Sequence, residues 1–145
     1  MDIEIITQPL ELTIYGYSGV ALNRDYAGTA FQLMDRMWRT IRENDIKHKG
    51  LNTWVYESDH RVFAGVELME EQKKDSGLES KHLTLSKYAS YKHIGSYKLI
   101  KQAGLKMTEE LKRKGYTTQL PYVEIYGHWT NEAARLETEL LMSLQ

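Results

Sequence analysis

Between Asp25 and Asn44 the apolar residues Ala27, Ala30, Phe31, Met34, Met37, Trp38 and Ile41 recur at three- and four-residue spacings, while the flanking stretches are rich in strand formers. The first pattern is the face of an amphipathic helix, which either Asp25 or Asn23 can cap. Before it, LELTIYGYSGVAL (residues 10–22) reads as a strand that bends or bulges at Gly16 and Gly19. After it, LNTWVYE, ending at Glu57, and VFAGVEL, beginning at Val62, form a hairpin across the turn-like SDHR. The order then repeats. LSKYASYKHI (85–94) is extended, and Ser96 caps a helix whose inner face holds Tyr97, Ile100, Ala103, Met107 and Leu111, with Gly115 as its stop. Gly104 lies inside that helix at a cost in propensity, which points to something packing closely there. PYVEIYG is a short strand, and ARLETELLMSL a terminal one with Leu136, Thr138, Leu140 and Met142 on one face, a short helix being the alternative for the latter. The polar run at 70–84 reads as the connection between halves. Strand, helix, strand, strand is thus written twice.

At 145 residues, 41% of them hydrophobic, the chain has the size of one compact domain, residues 1–145, with pseudo-repeats at about 1–70 and 85–145. Cysteine is absent, which removes disulfides, thiolate nucleophiles and cysteine zinc sites. The opening MDIEIITQPLEL has no basic region followed by a long apolar run, and no stretch approaches a spanning helix, so a cytoplasmic, non-membrane protein is expected. Lys plus Arg number 19 against 20 Asp plus Glu, and KRK at 112–114 sits among acidic residues, so no direct nucleic-acid binding is expected. The five histidines, His48, His60, His82, His93 and His128, show no paired metal-ligand spacing, and nucleotide loops and a G-x-S-x-G elbow are lacking; no metal or cofactor is expected.

The informative excess is aromatic: ten tyrosines and three tryptophans against two phenylalanines. Tyrosine combines a flat apolar face with a hydroxyl and suits pockets as well as cores. In the strand LPYVEIYGHW (120–129), Tyr122, Glu124 and Tyr126 project to one face and Val123 and Ile125 to the other. If Val123 and Ile125 lie beneath the helices, the tyrosine–glutamate face is on the opposite side of the sheet, as a surface or a pocket. Tyr15 with Tyr17, Trp54 with Tyr56, and Tyr88, Tyr91, Phe63 and Trp129 are candidate aromatic walls. A carboxylate among such rings suits a hydrophobic cation, because the ring faces are negative and the carboxylate supplies the counter-charge. Trp38 is read as core, with a partner surface as the alternative.

KYASYKHIGSY at 87–97, then LPYVEIYGHW and LETELLMSL, with VFAGVEL upstream, together resemble the GyrI-like effector-binding domain family, whose members occur alone and behind the DNA-binding domains of bacterial drug-responsive transcription regulators. The resemblance implies an α+β fold: a duplicated β-α-β-β unit (an SH2-like repeat) with pseudo-twofold symmetry, an antiparallel sheet carrying two main helices on one face, and a ligand cleft between the halves. It implies that Glu124 lies in that cleft, with Tyr15, Tyr17, Trp54, Tyr56, Tyr88, Tyr126 and Trp129 as ligand-binding candidates. His93 and Gly95 match an H-x-G element, read as a structural fastening of the second helix rather than as acid–base chemistry.

The expected function is binding of hydrophobic, cationic or planar small molecules, in drug or toxin sensing or protection. Some stand-alone relatives hydrolyse strained cyclopropane-containing electrophiles. The catalytic alternative therefore assigns Glu124 to water activation, with Tyr126 or Tyr88 positioning the water or donating to the leaving oxygen. A third reading is a protein-interaction module, with a protein partner or a homodimer.

Overall fold

A computed structural model of the chain describes residues 1–70 and 76–145. It contains eight strands: β1 (Glu4–Ile6), β2 (Leu10–Val20), β3 (Thr53–Tyr56), β4 (Arg61–Val66), β5 (Glu79–Leu85), β6 (Tyr88–Ile94), β7 (Thr118–Tyr126) and β8 (Glu137–Leu144). Helix α1 (Tyr26–Glu43) lies between β2 and β3, and α2 (Ile100–Arg113) between β6 and β7. The strands form one antiparallel sheet in the order β1-β6-β8-β7-β3-β4-β2-β5. The fold is therefore α+β. No helix among the described residues is long and apolar enough to cross a membrane.

Both helices cover the same face of the sheet, and the register shows why. Trp54, Glu124 and Leu140 pair side by side across β3, β7 and β8 and so share a face. Trp54 packs in the cluster that holds Ala30 of α1, and Leu140 in the one that holds Ile100, Ala103, Met107 and Leu111 of α2. The opposite face is closed by the sheet itself. Ile14, Val55, Phe63, Leu83, Leu85, Tyr88, Val123 and Leu141 form one cluster, which brings β5 and β6 together although they stand near opposite ends of the strand order. Such closure requires strong twist and coiling.

Several expectations are corrected. Val123 and Ile125 do not lie beneath the helices; they point into the far-face cluster, and the Tyr122–Glu124–Tyr126 row faces the helices. The run at 70–84 is not only a connection: Glu79–Leu85 is the edge strand β5, with Leu83 and Leu85 buried at alternate positions, while residues 71–75 lie outside the described residues. Strand β1 was not anticipated at all. Strand β2 runs through Gly16 without a register shift; a Cβ there would stand 1.8 Å from the Ala64 carbonyl oxygen, so the glycine serves a close strand approach. On α1, Ala30, Met37 and Ile41 are buried, but Phe31 is 58% exposed. Asp25 is the cap, its carboxylate accepting from the Gly28 amide at 3.0 Å. The terminal segment is strand β8; Leu136 just ahead of it and Thr138, Leu140 and Met142 within it are buried, and from Leu140 to Leu144 both faces are covered.

Candidate ligand-binding site

The two helices leave a gap over the centre of the sheet, and a cavity of about 1060 Å³ opens there. That volume reaches the upper end of the range for small-molecule pockets. Strands β3 and β7 form its floor through Trp54, Tyr56, Tyr122, Glu124 and Tyr126; the first two turns of α1 supply Tyr26, Gly28 and Phe31, and α2 supplies Ile100, Gly104, Leu105 and Thr108. Tyr97, in the short turn ahead of α2, completes the wall. Phe31, Leu105 and Leu120 line the cavity while remaining at least half exposed, so its rim carries apolar side chains beside the exposed Arg24, Asp25, Lys101 and Gln119.

Glu124 is only 6% exposed, and its carboxylate is held by three phenols. Tyr126 donates to Oε1 at 2.7 Å, Tyr56 to Oε1 at 3.1 Å, and Tyr122 to Oε2 at 2.8 Å. The arrangement follows from strand geometry. Tyr122 and Tyr126 flank Glu124 at i±2 on one strand face, and Tyr56 arrives from β3, where it pairs with Tyr122. No lysine, arginine or histidine forms an ion pair with Glu124 among the described residues. Three hydroxyl bonds to a charged acceptor offset much of the desolvation of a buried carboxylate, yet none of them neutralises it. Burial first, and the charge of Glu124 second, push the hydroxyls of Tyr56, Tyr122 and Tyr126 far above the usual tyrosine value. The phenols stay neutral donors, and burial raises the Tyr97 hydroxyl as well.

The rings also hold one another. Tyr56 and Tyr122 stack with centroids 5.6 Å apart, Trp54 meets Tyr126 edge-on at 4.8 Å, and Tyr97 meets the same ring at 5.4 Å. Tyr26 packs edge-on against Tyr56 at 6.0 Å and hydrogen-bonds His60 in the β3–β4 turn. The floor of the cavity is thus a set of aromatic rings around a buried carboxylate that has no ion-pair partner among the described residues, which suits a bound cation by counter-charge and by ring faces.

Of the residues singled out in the sequence, the structure brings Glu124, Tyr126, Trp54 and Tyr56 together, along with Tyr122. It does not place Tyr15, Tyr17, Tyr88 or Trp129 on the cavity wall. Tyr17 is buried under α1, bonded to Thr40 and stacked beneath the Arg36 guanidinium; Tyr88 is packed in the far-face cluster; Trp129 is 74% exposed beyond the end of β7. Tyr15 precedes the glycine at which β2 crosses from β5 to β4 and is only part-buried. Tyr26 and Phe31 were missed as wall residues, since aromatic residues in a helix's first turns read as core. Tyr97, expected on the inner face of α2, stands on the wall instead. His93 is buried, its Nε2 3.1 Å from the Ser96 carbonyl oxygen, and Gly95 turns at φ +137°, so the pair fastens the junction between β6 and α2. No group of three or more metal-ligating side chains occurs among the described residues.

No curated protein sequence matches the chain. Solved structures do. SAV2435 bound to tetraphenylphosphonium is 19% identical, with a TM-score of 0.68 over 100% of this chain and 94% of that one. The EcmrR C-terminal domain is 13% identical, with a TM-score of 0.71 over 100% and 99%. A hydrolase from Listeria innocua is 10% identical, with a TM-score of 0.59 over 99% and 91%. At these identities the likeness shows the fold. The model of the GyrI-like small molecule binding domain matches residues 1–145, and the chain belongs to that family.

Proposed function

We propose that this protein binds hydrophobic cations in the aromatic cavity, with Glu124 as the counter-charge. The observation that carries the reading is a carboxylate buried among rings, held by three neutral donors and paired with no basic group among the described residues. Most of the remaining lining is apolar or aromatic, with Arg24, Asp25, Glu57 and Lys101 also on it, so a ligand gains from burying its own apolar area and from cation–π contact. The relative that holds tetraphenylphosphonium supports the same ligand chemistry here. Recognition by ring faces and a diffuse charge tolerates many shapes, which fits a role in sensing, or protecting against, toxic compounds. The strand order, which reads as the same three-strand grouping from either end, supports two repeated halves, about 1–70 and 85–145, framing the cavity within one domain.

The test is equilibrium binding of tetraphenylphosphonium and of neutral triphenylphosphine oxide. A monocation about 5 Å from the carboxylate, at an effective dielectric constant of about 20, gains about 3 kcal/mol before its own desolvation. A preference for the cation of at least about tenfold is expected. Equal affinities would remove the counter-charge from the account.

Hydrolysis is the second reading. Glu124 Oε2 accepts one phenol where Oε1 accepts two, which leaves capacity for one water beside Tyr122. Tyr126 is in place to assist on an electrophile, whereas Tyr88, on the far face of the sheet, is not. Turnover of an electrophilic, cyclopropane-containing compound that is lost in Glu124→Gln would favour this reading; no turnover above the buffer rate would exclude it.

A further inference from the structure

The linker between β2 and α1 and the turn between β3 and β4 meet beside the first turn of α1. The Ala21 amide donates to the His60 carbonyl at 2.8 Å, and the Tyr26 hydroxyl is hydrogen-bonded to His60 Nδ1. Among the described residues five non-glycine residues have positive φ, and four lie in these two segments: Asn23, Arg24, Asp59 and His60, at +53° to +60°. Such backbone is costly for L residues and gathers at ligand clamps. In the turn, the Arg61 amide donates to the Ser58 carbonyl at 3.3 Å with Asp59 and His60 both left-handed, the type I′ arrangement that favours glycine at its second central position. His60 is exposed, so packing does not ask for an imidazole there either. What the imidazole reaches is Tyr26, with ring centroids 5.9 Å apart.

We propose that His60 is a positioning residue for the cavity. It does not line the cavity; it fixes the Tyr26 ring, which does. Tyr26 in turn packs edge-on against Tyr56 at 6.0 Å, and Tyr56 donates to Glu124 Oε1 at 3.1 Å. The tie thus runs from the turn, across the start of α1, to the rings around the carboxylate. Without the hydrogen bond Tyr26 is left with apolar packing, which is non-directional and does not fix where its ring face points. The turn gives up its preferred residue, and the cavity gains a fixed wall. This inference rests on the cation reading of the cavity and adds to it the residue that sets one wall.

The experiment measures tetraphenylphosphonium affinity for wild type, His60→Gly, Tyr26→Phe and the double variant, with urea unfolding alongside. His60→Gly is expected to unfold at about the wild-type urea concentration, because relief of the left-handed backbone offsets the loss of an exposed hydrogen bond. Its affinity is expected to fall about fivefold, the worth of one well-placed ring face to a cation. Tyr26→Phe, which leaves the turn untouched, should weaken binding by the same factor. The double variant should be no weaker than either single one, because both changes break the same bond. Affinity of either single variant within about twofold of wild type would overturn the role of His60 while leaving the cation reading intact. So would a further loss on adding His60→Gly to Tyr26→Phe, since His60 would then act through something other than the Tyr26 hydroxyl. Wild-type protein that does not bind tetraphenylphosphonium would overturn both.

Discussion

Tyr126→Phe removes one hydroxyl and little else, so it isolates what a phenol contributes to the buried charge. The ring keeps its contacts with Trp54 at 4.8 Å and Tyr97 at 5.4 Å, while the 2.7 Å bond to Glu124 Oε1 is lost. A hydrogen bond to a charged acceptor contributes about 1.5–3 kcal/mol, and the carboxylate left behind stays buried, so a loss of about 2 kcal/mol is expected. For a chain of this length that lowers the melting temperature by about 4–8 °C. In a Glu124→Gln background the same hydroxyl meets a neutral amide, and its removal should cost about 1 kcal/mol. The double-mutant cycle should therefore leave a coupling of about 1 kcal/mol, read by urea unfolding followed by circular dichroism. An equal cost in both backgrounds, or no cost in the first, would mean that the phenols do not stabilise the charge of Glu124.

Alkaline stability gives a second check. Tyrosines of the unfolded chain ionise near pH 10, whereas Tyr56, Tyr122 and Tyr126 stay protonated in the native state. The native state then holds up to three more protons, so stability is complete below about pH 10 and falls above it, approaching a slope of about 4 kcal/mol per pH unit. Denaturant unfolding from about pH 9 to 11 measures this, and a flat profile would contradict it. Because three phenols fill most of the carboxylate's roughly four acceptor positions, a quaternary cation should bind about tenfold more tightly than the tertiary ammonium of the same skeleton. Tyr126→Phe should narrow that gap, and titration calorimetry with the two ligands decides it. Trp129→Ala and Tyr88→Phe alter side chains off the cavity wall and should leave cation affinity within about twofold; a larger loss would relocate the site.

The sequence displayed the helices, the central strands and the Tyr122–Glu124–Tyr126 row because these depend on local periodicity. Which face that row would meet was not legible. It depends on where Val123 and Ile125 find partners, and those come from distant β2, β3 and β5 as the sheet coils on itself. Strand β5 was obscured by its polar residues, although Leu83 and Leu85 alternate with His82 and Thr84 in the period of an edge strand. Tyr15 and Tyr17 lie on β2, three strands along from β7, with β3 and β4 between, and Tyr88 lies on the opposite face; a count of tyrosines carries no such distances. Tyr26 and Tyr97 reach the cavity only because both helices begin beside it. The signal that could have found them is their position at helix starts, which is weak without a fold.

The most direct measurement is the affinity of Glu124→Gln for tetraphenylphosphonium and triphenylphosphine oxide, set beside the same pair for wild type. Glutamine keeps the shape and accepts from the phenols through its carbonyl oxygen but carries no charge. Loss of the wild-type preference for the cation, with affinity for the neutral compound unchanged, is the predicted result. Retention of that preference by Glu124→Gln would contradict the account.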